Sequence, residues 1–417
     1  MQEAGAKDRQ LNVISSEPGV SLWFLFRTFL KIGSIAFGGF TALISVVENI
    51  IVRKRQLLQT EDMLDGISLA MLLPGPVAVN VVAFVGYRLR GGFGALVSAA
   101  GVILPSFILL AGLSFFYLHY GEIPAVSKAF AGFVPAVTAV VVSTAWGMSK
   151  KAVKGVPEFL IGITAAAVLL GIGGFYSTLM IIFAAGILGL LIFSRDRSCA
   201  AESAESERAH DLVARPRISR IKFSLSLFLL AGFLILFLIP WPGLGGRSYA
   251  RIFTTFSGMS LMLFGGGFVF IPLIQEIVVD GAHWVTQGEF TSAIALGQIT
   301  PGPILISAAF IGFKVKGFLG AALATFAIFF PPALLMVNCS QVLDRIKQST
   351  GMQAALRGVR AAVVGMIFAA AVVIARGAVF HWATLLIFLL ALFALVRLRI
   401  DIIWIIPAAG VLGMLIY

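Results

Sequence analysis

Charge is scarce in this sequence. Only 12% of the 417 residues are Asp, Glu, Lys or Arg, against roughly 25% in an ordinary soluble domain. Hydrophobic residues make up 59%, so too few charges remain to clothe a water-facing surface, and lipid must solvate most of the exterior. Cysteine is nearly absent: Cys199 and Cys339 stand in unrelated settings with no metal-ligand spacing. His119, His210, His283 and His381 are scattered singly near segment ends, so neither a metal nor a cofactor is expected. No G-x-x-x-x-G-K-[ST] occurs, which excludes an ATP site of that type, and neither H-E-x-x-H nor a G-x-S-x-G elbow is present. The chain is not expected to be an enzyme. Residues 1–19 lack the apolar core and small-residue cleavage site of a signal peptide, so the first hydrophobic segment is expected to stay in the mature protein.

What is present is a series of apolar runs long enough to cross about 30 Å of hydrocarbon. They fall near 20–51, 63–88, 92–118, 130–148, 157–174 and 176–193, and again near 249–279, 290–313, 317–340, 354–375, 381–396 and 402–416. A hydrophilic stretch at 194–221 and one further apolar run at 222–240 separate the two sets. The expected organisation is a tail over 1–19, a first unit over 20–193, a cytoplasmic linker over 194–221, a linking transmembrane helix over 222–240 and a second unit over 245–417. The net charge of +12 comes from short basic clusters between apolar runs, such as Arg53–Arg55 and Lys150-Lys151. That is how cytoplasmic loops are marked, and nucleic acid is not expected as a partner.

The two units match each other. Phe37-Gly38-Gly39 recurs as Phe264-Gly265-Gly266, and Pro74-Gly75-Pro76 as Pro301-Gly302-Pro303, each 227 positions on. After the loss of one residue, Gly86, Gly91, Gly94, Pro105 and Gly132 match Gly312, Gly317, Gly320, Pro331 and Gly358 at 226. The fold class read from this is an all-α polytopic membrane protein with two inverted-topology repeats of about six hydrophobic segments each. One extra linking helix and Gly/Pro-broken helices complete it. Basic loops support the inversion except at Arg53–Arg55 and at Lys314 and Lys316; a re-entrant first or second segment would repair the former.

Inverted repeats place a transporter's site at the midplane, where broken helices from both halves meet. Each half has two such breaks, at Gly38-Gly39 and Pro74-Gly75-Pro76, and at Gly265-Gly266 and Pro301-Gly302-Pro303. A helix restarting after Pro-Gly-Pro presents free amides, here around Val77 to Val79, and its dipole favours an anion. Gly75 would let that anion approach the backbone. Asn80, Gln298, Thr300 and Ser307 flank the breaks as further hydrogen-bonding groups. Arg27 and Lys31, four apart in the first run, and Arg360 are cations inside apolar segments, fit for a substrate pathway or for snorkelling; snorkelling also suits Arg357 and Arg376. Glu48 and Glu276 close the first broken segments, while Asp62 and Glu289 precede the second. All four are coupling candidates, with a plain structural role at helix ends as the alternative. Transport by such a chain would run on an ion gradient, a membrane potential or a downhill substrate.

With the F-G-G and P-G-P pairs and the run Gly358-Val359-Arg360-Ala361-Ala362-Val363-Val364-Gly365, the sequence resembles the long-chain CHR family of chromate ion transporters, one domain at about 20–200 and the other at about 245–415. The resemblance implies secondary active export of chromate, a tetrahedral dianion, across the bacterial inner membrane, and chromate resistance. Sulfate, alike in charge and geometry, stands as a second substrate, a passive anion channel as a second mechanism, and a homodimer as an assembly. Where the second half has Arg360 the first has Ala131-Gly132-Phe133-Val134-Pro135, so a symmetric site is not expected.

Overall fold

The computed structural model describes residues 20–37, 39–121, 123–172, 175–194, 248–263, 270–340, 350–376 and 381–417. Among them the chain is helical, with no strand. The helices are α1 (Leu22–Ile35), α2 (Gly39–Val47, continued by a π turn Glu48–Lys54), α3 (Thr60–Leu72), α4 (Val77–Tyr120), α5 (Pro124–Ala152), α6 (Val156–Gly171) and α7 (Phe175–Phe193). The second half has α8 (Tyr249–Ser260), α9 (Phe270–Gln275, continued by a π turn Glu276–Gly281), α10 (Gln287–Ile299) and α11 (Ser307–Cys339, after a short turn Ile304–Ile306). It ends with α12 (Thr350–Arg376), α13 (Trp382–Phe393) and α14 (Ile402–Ile416). The protein is a multi-pass membrane protein. Long apolar helices carry large exposed side chains such as Phe159, Leu191, Trp404 and Leu415, which only lipid can solvate at that density.

Neither of the first two apolar runs crosses. Arg55 lies 5.4 Å over the ring of Phe24, which brings the end of the α2 segment back beside the start of α1. A straight helix over that interval would separate them by about 45 Å, so the chain folds into a V that turns after Ala36, between α1 and α2. The second run does the same around Gly75. Asp62 and Arg88, each thirteen residues from that glycine, form an ion pair at 2.6 Å, and the space beside Gly66 is filled by the ring of Phe84, each nine away. In the second half, Glu289 pairs with Lys314 at 2.8 Å, and Gly297 faces Ser307 across Gly302. The first arm of α4, 77–89, is about 20 Å long, too short to span the bilayer. The runs at 20–51 and 63–88 therefore enter and leave on one side, which places Arg53–Arg55 at the same end as Arg88 and Arg90. The discord at that cluster disappears.

After each Pro-Gly-Pro hairpin the chain reverses again. Arg90 and Gly91 have φ/ψ of −149/24 and 64/−156; Lys316 and Gly317 have −143/28 and 62/−155. The same turn is thus used twice, with glycine at the positive φ. Gly86 then packs on Gly94, and Gly312 on Gly320, where any side chain would hold the arms apart.

Contacts fix the directions. α6 runs with α12, since Glu158 meets Arg357 and Gly162 meets Ala361 and Gly365; α7 runs against it, since Gly189 meets Ala354 and Ala185 meets Gly358. α14 runs against α5, with Gly132 on Ala409 and Gly413 on Lys128. Glycine at these crossings lets backbones touch, the usual source of helix affinity in lipid. It follows that α12 runs opposite to α5, its counterpart in sequence. Ser194 and Ser248 lie at opposite ends of the molecule. The linker and the run at 222–240 fall outside the described residues.

Two bodies result. The hairpins with α4 and α11 form one; α5, α6, α7, α12, α13 and α14 form the other, a six-helix bundle.

Candidate functional site

The two Pro-Gly-Pro tips meet the tips of the first hairpins, each in the opposite half. Gly75 N–H donates to the Leu263 carbonyl at 2.7 Å, and Gly302 N–H donates to the Ala36 carbonyl at 2.9 Å. Since 263 and 302 correspond to 36 and 75, this is one contact made twice, the reciprocal pattern of a two-fold interface. Pro74–Val79 and Pro301–Ile306 are buried, as irregular backbone at membrane depth must be. Gly38, Gly265 and Gly266 lie outside the described residues, and Gly39 opens α2.

Gly75 and Gly302 have φ of +108° and +107°, which other residues rarely adopt. Their open faces are not vacant. Pro332 of α11 fills the space beside Gly75, and Ser106 of α4 fills it beside Gly302, where its hydroxyl donates to the Pro301 carbonyl. The expectation that Gly75 stands open to an ion is corrected: its missing side chain admits the other half of the protein. Ser106 and Pro332 are corresponding positions of unlike chemistry, so the halves differ at the tips themselves, closer to the breaks than Arg360. Sequence reading missed both, because nothing marks which residue of a long apolar helix will meet a distant turn.

The groups able to hold an anion are the helix starts. Among the described residues, the amides of Val77, Ala78 and Val79 are the unpaired first turn of α4, the first helical bond running from Asn80 N–H to the Pro76 carbonyl. In the second half Ile306 N–H already donates to Pro303, leaving Ile304 and Leu305. Asn80 is wholly buried; its amide donates to the Pro74 carbonyl at 3.1 Å, and its Oδ1 is buried without a partner. Ser307 donates to Ile304 and Thr300 to Gly297, while the Gln298 side-chain nitrogen is buried without a partner.

The charged candidates are spread more widely. Arg27 and Lys31 are exposed on one face of α1. Arg360 is half-buried on α12, in the bundle. Asp62 and Glu289 cap α3 and α10 through the amides of Gln59 and Thr286, besides their ion pairs with Arg88 and Lys314. Each pins the base of its hairpin. Glu48 pairs with Arg53 at 3.0 Å near the surface, and Glu276 lies in the π turn after α9. Arg357 does not snorkel. It binds Glu158 at 2.6 Å and lies over Phe193, and Glu158 is fully buried with Oε2 unpartnered. The two are 199 residues apart, and no local pattern signals the pair.

A groove of about 830 Å³ between α4 and α11 is lined by Leu96, Ile103, Phe107, Phe326, Phe329 and Ala333. Its lining is mostly apolar. Of its polar side chains, Thr325 and Asn338 already donate to the Ala321 and Leu334 carbonyls, and no lining residue carries a positive charge, so it suits a dianion poorly.

The sequence profile described as Chromate transporter matches residues 23–190 and 250–414. An uncharacterized transporter of Methanocaldococcus jannaschii is 28% identical over 94% of this chain and 94% of its own. A chromate transport protein of Cupriavidus metallidurans is 27% identical over 97% and 95%. An uncharacterized transporter of Bacillus subtilis is 35% identical over 33% of this chain and 72% of its own length, a protein about as long as one half of this one. No solved structure matches.

Proposed function

The chain belongs to the chromate transporter family, and on that premise we propose that it is a secondary active transporter exporting chromate across the bacterial inner membrane, and so confers chromate resistance. The observation that carries the reading is the reciprocal meeting of the two Pro-Gly-Pro tips with the opposite halves. Helix starts from both halves converge there, at buried depth, where amide dipoles act on an anion with little screening by water. The amides of Val77 to Val79, with Ile304 and Leu305, are the proposed oxygen-binding groups. Pro74, Gly75, Pro76, Pro301, Gly302 and Pro303 shape the tips, and Asn80 and Ser307 stand beside them. Gly38, Gly39, Gly265 and Gly266 are proposed to complete the breaks.

Sidedness is supported by charge. Arg53–Arg55, Arg88, Arg90, Lys150, Lys154, Arg397 and Arg399 lie at one end, which the positive-inside rule makes cytoplasmic. The opposite end carries fewer cations, Lys128, Arg251, Lys314, Lys316 and Arg376, of which Lys314 is held by Glu289 and Lys316 lies over the Tyr249 ring. The opposite placing of Ser194 and Ser248 suits a single crossing at 222–240 and an inverted second repeat.

Labelled chromate should enter inverted vesicles holding the protein faster than empty ones, and a proton gradient should raise the accumulated level. Sulfate, run in parallel, decides whether the backbone site discriminates between the two dianions. If neither anion moves faster than in empty vesicles, the reading fails; equilibration without accumulation would make the protein a channel. A second expectation concerns Arg27 and Lys31. Replacing both by Gln should raise the half-saturating chromate concentration about tenfold at low ionic strength, converging on wild type in high salt, as expected of steering charges.

A further inference from the structure

The hairpin body and the bundle are each internally symmetric, but they are joined asymmetrically. α10 packs against α5 and α14, α9 packs against α12, and the π turn after α9 touches α7. Among the described residues the mirror-image seats, α3 against α12 and α7 or α2 against α5, carry no comparable packing. Burial at corresponding positions records the difference. Leu64 is 57% exposed and its counterpart Thr291 is 2% exposed. Ser68 is exposed and Ala295 fully buried; Lys31 is exposed and Gly258 buried; Ser45 is exposed and Pro272 buried.

The uncovered face carries Arg27, Lys31, Ser34, Ser45, Asn49 and Ser68 on the two hairpins of the first half. Cations held against lipid are costly unless they snorkel to the headgroups, and a face that joins Arg27 and Lys31 to Ser34, Ser45, Asn49 and Ser68 suits water or protein better than lipid. For the α2 and α3 part of this face the structure itself offers the protein: the same bundle that already packs on α9 and α10, their counterparts in the second half. The two seats are built from corresponding elements carrying unlike residues. A bundle that leaves Thr291, Ala295 and Pro272 would cover Leu64, Ser68 and Ser45, so the two seats differ in energy while sharing a geometry.

We propose that the six-helix bundle rocks between these two seats, and that the present structure is the state open at the cytoplasmic end, with Arg27 and Lys31 lining its mouth. In the other state the bundle covers Leu64 and Ser68 and frees Thr291 and Ala295 toward the periplasm. The tips of both Pro-Gly-Pro hairpins stay fixed while access to them alternates. The sidedness rests on the export reading above; the rocking does not.

Thiol accessibility tests this in full-length chains whose native cysteines are replaced (Cys199→Ser, Cys339→Ser). A membrane-impermeant maleimide applied to inverted vesicles should label Ser68→Cys quickly and Ala295→Cys at least tenfold more slowly. Adding Ala295→Trp, which blocks the occupied seat, should protect Ser68→Cys. Saturating chromate on the periplasmic face provides a second driver for the same shift, and should expose Ala295→Cys from that face. Labelling of Ser68→Cys only by membrane-permeant reagents would make the face lipid-bound, and no labelling at all would mean a second chain covers it; either overturns the proposal. So would constant reactivity under both drivers. Chromate flux is measured on the same vesicles. Flux without reciprocal labelling sinks the rocking alone, whereas reciprocal labelling without flux keeps it and sinks the chromate reading.

Discussion

The double variant Gly75→Leu, Gly302→Leu should lose chromate flux by at least a hundredfold while still inserting in the membrane. Two costs act at each site. A leucine at φ near +108° is strained by about 1–3 kcal/mol. Its side chain must also displace Pro332 at one tip and Ser106 at the other, an overpacking that typically costs a further 1–3 kcal/mol. Each tip is joined to the opposite half by an amide bond, to Leu263 or Ala36, and the second also by the Ser106 hydroxyl on the Pro301 carbonyl, so displacement breaks these contacts and moves the helix starts. Insertion depends on the crossing helices, which the change leaves alone. Gly75→Ala separates geometry from bulk. It should fall well below wild type, and Pro332→Gly in the same chain should restore part of the flux, because the new methyl meets the Cβ of Pro332 first and glycine removes it. Wild-type flux from the leucine double variant would remove the tips from the site.

The second large effect lies in the bundle. Glu158→Ala should destabilise the protein by about 1.5–3 kcal/mol, since it removes a fully buried carboxylate that the partly exposed Arg357 binds at 2.6 Å. A lowered unfolding temperature in detergent, or loss from the membrane fraction, checks it. Replacing both partners (Glu158→Gln with Arg357→Met) should cost much less, because a buried pair removed whole leaves no stranded charge. Arg357 also packs on Phe193, so the double variant retains a long apolar stem there. Equal losses for the single and double variants would deny the pair its role.

The duplication was legible because glycine and proline carry backbone information. Pro-Gly-Pro and the glycines at 91 and 317 mark places where only certain residues fit, and the structure repeats their dihedral angles within a few degrees. The re-entrant course of the first two segments was not legible. A hairpin of two apolar arms and a crossing helix have the same hydropathy, and what separates them is pairing across the tip, Asp62 with Arg88 and Glu289 with Lys314. Those pairs are visible only once the fold is known. The one sequence clue was the misplaced cluster Arg53–Arg55, which a re-entrant segment explains. Ser106 against Gly302, Pro332 against Gly75 and Glu158 with Arg357 all join residues far apart in the chain. Periodicity carries no trace of such partners.

The most direct test is to locate chromium in the protein by its anomalous scattering in crystals grown with chromate. The metal centre should appear between the hairpin tips, with chromate oxygens within hydrogen-bonding reach of the amides of Val77 to Val79 or of Ile304 and Leu305. Chromium bound solely elsewhere, such as at the exposed Arg27 and Lys31 or in the groove between α4 and α11, would contradict the site.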